Sequence, residues 1–169
     1  MEHVVQLEGL RARVDPEALA QRRLSVVVDA ARVRVSHAAL ELLARNAPAS
    51  VPLEVERVER IDGGRVGVRA SFRGIGFTTE IRPLVTPEGR VRVEMSSFRA
   101  VGLLPLPPSL VLSAIRARLP ELPGLYPGQE DYLEIDPVAL ARGAGAPVEI
   151  PPVAAIRAEH GVLEIDLER

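Results

Sequence analysis

The side chains able to do chemistry in this 169-residue chain are few and scattered. His3, His37 and His160 fall near the terminus, at a helix start and in a hairpin turn, so no two share the spacing of metal ligands. Zero cysteines remove disulfides, thiolate nucleophiles and Cys-ligated zinc. No serine lies in a G-x-S-x-G elbow: Ser36 precedes an apolar run as a helix cap, and the others suit strands or turns. The glycine pairs of "DGG", "RGIGF" and "RGAGAP" lack the Lys-Ser/Thr of a phosphate loop and the spacing of a dinucleotide fingerprint. Gly74 and Gly76 read instead as places where one long strand bends into the next. Paired carboxylates are plentiful, for example Glu130-Asp131 and Glu164/Asp166; the latter are two apart on a strand and project to one wet face, the ordinary pattern of a half-buried sheet. A glycosidase would add a cleft with sugar-stacking aromatics. A hydrolase would need a nucleophile with a base beside it, and none is visible. The expectation is a protein without enzymatic activity, metal or cofactor.

Composition narrows the partners. Lys+Arg at 21 against Asp+Glu at 23 gives a net charge of −2, so no global positive field draws in a phosphate backbone. Only Phe72, Phe77, Phe98, Tyr126 and Tyr132 could stack on bases, too few for the usual single-strand platforms. A nucleic-acid partner is not expected. Hydrophobic residues at 47% can fill a sizeable core, and with so few aromatics that core must be aliphatic. No basic segment followed by an apolar run opens the chain, and no run approaches the ~18 residues of a membrane helix. As written the chain reads as cytoplasmic; a chain trimmed of a leader would read the same and be extracytoplasmic.

The elements that must position these residues announce themselves by their ends. "RVDPEALA" from Arg13 and "EIDPVALA" from Glu134 are nearly the same phrase: Asp caps a helix and Pro takes its first position, where a missing N–H costs nothing. A third joint, "VRVSHAALELLARN", puts Ser36 at the cap and stops at Asn46 and Pro48. Alternating runs then form hairpins about Asp62-Gly63-Gly64, Pro87-Glu88-Gly89 and His160-Gly161. In the first, Val66, Val68, Ala70 and Phe72 share a face opposite Arg65, Arg69 and Arg73. In the others Val91, Val93 and Met95, and then Leu163, Ile165 and Leu167, point inward. Strands with one apolar face need a helix or second sheet to cover it.

The covering helix is predicted after "VGLLPLPP", where Leu110, Val111, Leu112, Ala114, Ile115 and Leu119 form an apolar stripe of helical period. Arg116 and Arg118 suit its C-terminal end. The chain therefore reads as one α+β domain over 1–169, an antiparallel sheet of long hairpins with one main helix. Its sub-units are 24–100 (strand, helix, hairpins), 101–128 (bridging helix) and 129–169 (strand, helix, hairpin). The loop before the helix holds more Leu and Val than a solvated loop needs; Leu103, Leu104 and Leu106 read as packing over an open sheet end, or as the mouth of an apolar cavity or a peripheral membrane contact.

In its order of elements the chain resembles the LmeA-like phospholipid-binding proteins, relatives of the tubular lipid-binding (TULIP) superfamily. The likeness runs from about residue 24 to the end through "VSHAALELLARN", "IDGGRVGVRASF", "EGRVRVEMSSF", "GLLPLPPSLVLSAI" and "YLEIDPVALA". It implies a strongly curved antiparallel sheet wrapped around the main helix, with an apolar groove for a phospholipid or fatty acyl ligand. Val66, Val68, Phe72, Phe77, Val91, Val93, Leu110, Ile115 and Leu163 are the groove-lining candidates, each acyl CH₂ contributing about 0.8 kcal/mol on burial. The other reading is a self-associating interaction or scaffold module, a homodimer with a filled core and no ligand, using an exposed strand edge or the Leu103 to Leu110 loop.

Overall fold

Local chemistry starts each helix where the caps predict. A computed structural model of the chain describes residues 4–21, 23–46, 53–100, 108–118, 124–128, 132–145 and 147–169. Strand β1 (Val5–Val14) runs into helix α1 (Pro16–Ala20), whose first turn is held by the Asp15 carboxylate accepting from the amides of Glu17 at 2.9 Å and Ala18 at 3.4 Å. Strand β2 (Val26–Ser36) enters α2 (His37–Arg45) in the same way, the Ser36 hydroxyl accepting from Ala39 N at 3.3 Å and from Val4 N at 3.1 Å. The second Asp-Pro phrase ends β8 (Tyr132–Ile135) and starts α4 (Pro137–Gly143), with Asp136 accepting from Ala139 N at 3.0 Å. These caps satisfy donors that a helix end leaves orphaned.

Between them lies a meander of four strands, β3 (Leu53–Asp62), β4 (Arg65–Phe72), β5 (Ile75–Val85) and β6 (Val91–Ala100). The bridging helix α3 spans Pro108–Arg118, and β7 (Leu125–Pro127), β9 (Val148–Glu149), β10 (Val153–Glu159) and β11 (Val162–Glu168) complete the order. The hairpins about residues 63–64, 86–89 and 160–161 stand as expected. The segment at Gly74 differs. Phe72 pairs directly with Ile75, so Arg73 and Gly74, both at positive φ (50° and 80°), form a two-residue turn that reverses the chain. Turns of this kind match the right-handed twist of their strands, and a left-handed position falls naturally to glycine. Alternation on either side of the turn reads alike for a bent strand and for a hairpin, which is why the sequence alone pointed to a bend.

The strands form two sheets. One has the order β1-β2-β11-β10, with β9 attached to β2; the other has the order β3-β4-β5-β6-β8-β7. Among the described residues every pairing is antiparallel except β2 with β9, where Val26 faces Val148 and Val27 faces Glu149. The two Asp-Pro phrases thus each lead through a short helix into a strand, and those strands begin side by side. Sheet membership crosses the segments 24–100, 101–128 and 129–169: β2 pairs with β11, and β8 with β6.

Burial concentrates on the inner face of the second sheet. Val58, Ile61, Val66, Val68, Ala70, Phe72 and Phe77 form one cluster with Val111 of α3 and Ala158 of β10. Phe77 stacks on Phe98 with ring centroids 4.9 Å apart, and burying such a side chain contributes about 1.5–3 kcal/mol. Strand β10 lies along the end of this sheet where two of its turns emerge: Val153 N donates to Gly89 O and Gly64 N to Ala158 O, each at 2.9 Å. The two sheets therefore join through backbone hydrogen bonds as well as apolar packing.

Candidate functional site

The nine groove candidates separate on the structure. Val66, Val68, Phe72, Phe77 and Val91 are buried, and the first four pack on one another and on Val111. Val93 and Leu163 are half-buried, Leu163 against the same cluster. Leu110 lies on the other side of α3 and is 53% exposed, because Val111 and Leu112 turn the neighbouring side of the helix into the core. The Ile115 side chain, together with Leu103, Leu104 and Leu106, lies outside the described residues.

The hydroxyls of Thr79 and Ser113 donate to the carbonyls of Ser96 and Leu110, at 2.9 and 3.0 Å. His160 sits in its hairpin turn, with its amide 3.5 Å from the Asp62 carboxylate, while His3 and Glu130-Asp131 lie outside the described residues. Among the described residues no three His, Asp or Glu side chains cluster as metal ligands.

The unusual geometry is at the sheet edges. An edge strand presents unpaired N–H and C=O groups that invite another chain, and proteins usually cover or shorten it. Strand β3 is covered. Positions 37, 41 and 45 of α2 are four apart and so lie along one helix face, which meets the β3 backbone. Glu41 accepts from Val58 N at 3.1 Å, and His37 Nε2 donates to Val58 O, which as a carbonyl can only accept. Arg45 donates through Nε and Nη2 to Glu56 O at 2.9 and 2.6 Å and holds Glu41 at 2.8 Å. A cleft of about 550 Å³ runs beside this contact, but its His37, Glu41 and Arg45 are already committed. Strand β10 is tied to the turns of the second sheet, and β7 is three residues long.

Among the described residues strand β1 has none of these protections. It is ten residues long, exposed along its whole length, and paired among the described residues with β2 alone. Val5, Leu7, Leu10 and Val14 are exposed by between 47% and 57%. The alternation of "VQLEGLRARV" is the signal of this strand in the sequence. Its register against β2 is interrupted twice: Gly9-Leu10 of β1 together oppose Ala31 between the pairs Glu8–Arg32 and Arg11–Ala30, and Asp29 of β2 is the extra residue between the pairs Arg11–Ala30 and Ala12–Val28. Gly9 takes φ +58°, the left-handed conformation of a glycine bulge.

Behind the edge, the outer face of the first sheet is an ion-pair lattice. Arg32 meets Asp166 at 2.6 Å, Arg157 meets Glu164 and Asp166 at 2.8 and 2.9 Å, and Arg34 reaches Glu8 and Glu164, both at 3.4 Å. The hydrogen bond from Arg32, helped by Arg157 and opposed by partial burial, holds the Asp166 carboxyl below its usual range. Glu8, Arg11, Arg32, Arg157 and Asp166 share the rim of a cleft of about 620 Å³ on this face. Glu164 and Asp166 thus project to one wet face, as their spacing predicts.

No family model, curated protein or solved structure matches this chain. Among the described residues no helix is long and apolar enough to cross a membrane.

Proposed function

We propose that this protein is a non-enzymatic interaction module with a filled core, which acts by strand addition at β1. The observation that carries this reading is the contrast, among the described residues, between the ends of the two sheets: β3, β10 and β7 are covered, tied or short, while the ten-residue β1 stands open with apolar side chains along it. The packing of Val66, Val68, Phe72 and Phe77 on one another and on Val111 supports a core filled by its own side chains. The apolar-ligand reading would instead have the sheets curve around α3 and these same side chains line a groove. The test is native mass spectrometry of the freshly purified protein, followed by organic extraction. The expected spectrum holds the 18.3 kDa chain mass or whole multiples of it without adduct. An adduct of phospholipid size, recovered on extraction, would overturn the filled-core reading.

A further inference from the structure

The β1 edge is self-complementary, and we propose that its partner is a second copy of this chain, joined antiparallel about a two-fold axis beside Gly9 and Leu10. The inference rests on the strand-addition reading above and names its occupant.

Backbone direction sets which residues can pair. Ser36 N donates to Val4 O and Asp15 N to Ser25 O, each at 2.9 Å, so Val4 and Asp15 both turn their backbone groups toward β2. Alternation from Val4 turns Gln6 and Glu8 inward and leaves Val5 and Leu7 facing the open edge. Alternation from Asp15 turns Arg13 and Arg11 inward and leaves Val14 and Ala12 facing out. The bulge at Gly9-Leu10 makes this change of parity, odd residues outward before it and even residues after. In an unbroken strand odd residues could hydrogen-bond only with odd ones. Here Val5 can bond with Val14 of the second copy and Leu7 with Ala12. A bulge that would ordinarily spoil an edge makes this one register competent.

Side chains select the same register. With Val5 opposite Val14, Leu7 faces Ala12, Gln6 faces Arg13 and Glu8 faces Arg11. Apolar residues meet apolar ones on one face of the sheet. On the other, two Glu8–Arg11 pairs form, and within each copy Glu8 and Arg11 already share the charged rim. Among the described residues of the single chain these two side chains make long, exposed contacts, Glu8 with Arg34 at 3.4 Å and Arg11 with Glu168 at 3.5 Å, which a closer pairing across the interface can replace. A slip of two residues in either direction loses the Val5–Val14 match and sets charged or glycine positions against unlike partners. A two-fold interface places the same residues on both sides, as these pairs require.

Charge exchange and cross-linking test this register. Light scattering and sedimentation across a wide concentration range should find a dimer for the parent protein. Glu8→Arg sets Arg against Arg at both pairs, and Arg11→Glu sets Glu against Glu; each should weaken the dimer at least about tenfold, the order of a disrupted charge pair. An equimolar mixture of the two variants should recover it as a heterodimer, which a merely structural defect would not do. The chain has no native cysteine, so Val5→Cys combined with Val14→Cys should give a covalent dimer on mild oxidation, and Val5→Cys alone should not. A monomer at every concentration overturns the proposal, as does a dimer indifferent to both charge changes. Cross-linking by Val5→Cys with Ala12→Cys in place of Val14→Cys overturns the register. A bare monomer mass in the native spectrum would leave the strand-addition reading with a different partner, whereas a phospholipid adduct would remove the filled core.

Discussion

Strands β1 and β3 are each ten residues long, each stand at the edge of a sheet, and each set apolar residues among polar and charged ones. Their surroundings are opposite. The outer backbone of β3 is met by Glu41, His37 and Arg45, and its Val58 and Ile61 belong to the core. On β1 every residue is exposed, and among the described residues no helix covers its apolar side chains. The difference teaches that apolar residues spaced along a strand mark a face to bury but not whether the chain itself buries it. A covered edge contributes to the stability of the monomer, whereas an open one contributes when something binds.

The largest expected effect separates the two strands' neighbourhoods directly. Phe77→Ala, at a side chain only 2% exposed, should cost about 3–5 kcal/mol in denaturant titration. Leu7→Ala should stay within about 0.5 kcal/mol when measured on dilute monomer. Equal costs would make β1 a core strand and end the contrast.

Next in size is the cover over β3. Glu41→Ala leaves Val58 N–H and Arg45 without their carboxylate, an expected loss of about 1–3 kcal/mol. Amide exchange at Val58 should quicken at the same time, and Glu41→Gln, which keeps an acceptor, should lose less. Unchanged Val58 exchange in the Ala variant would show that α2 does not guard this edge.

Ser36 touches both regions, capping α2 through Ala39 N and fixing the start of β1 through Val4 N. Ser36→Ala should lower stability by about 1 kcal/mol and speed exchange at both amides, with Ser36→Thr largely restoring them. A change at only one amide would show the two edges to be independent.

The smallest effect is the acid response of the face behind β1. The Asp166 carboxyl is lowered in the folded protein, so its contribution is fully present above the ordinary value of about 4 and is lost as pH falls through the lower folded value. Thermal midpoints of the parent should therefore fall slightly more between about pH 5 and pH 2 than those of Asp166→Asn. Parallel curves would mean that the lattice around Arg32 and Arg157 adds nothing to stability.

Much of this chain was decided locally. The Asp15, Ser36 and Asp136 caps, the turns at residues 63–64, 86–89 and 160–161, and the inward face of Val66, Val68, Ala70 and Phe72 all follow from relations a few residues apart, which the sequence shows directly. At Gly74 that local rule was ambiguous, because a bend and a two-residue reversal share one pattern. What only the tertiary structure decided is which faces meet. Nothing near residue 30 says that β2 will pair with β11, more than a hundred residues away, nor that α2 will turn its polar residues onto β3. An alternating strand is compatible with almost any other, so the choice falls to the arrangement that buries the most apolar surface with the fewest unpaired backbone groups. Among the described residues that arrangement covers β3, ties β10, keeps β7 short and leaves β1 open, and the complementary order of Val5 to Val14 becomes meaningful only once its edge is seen to be free.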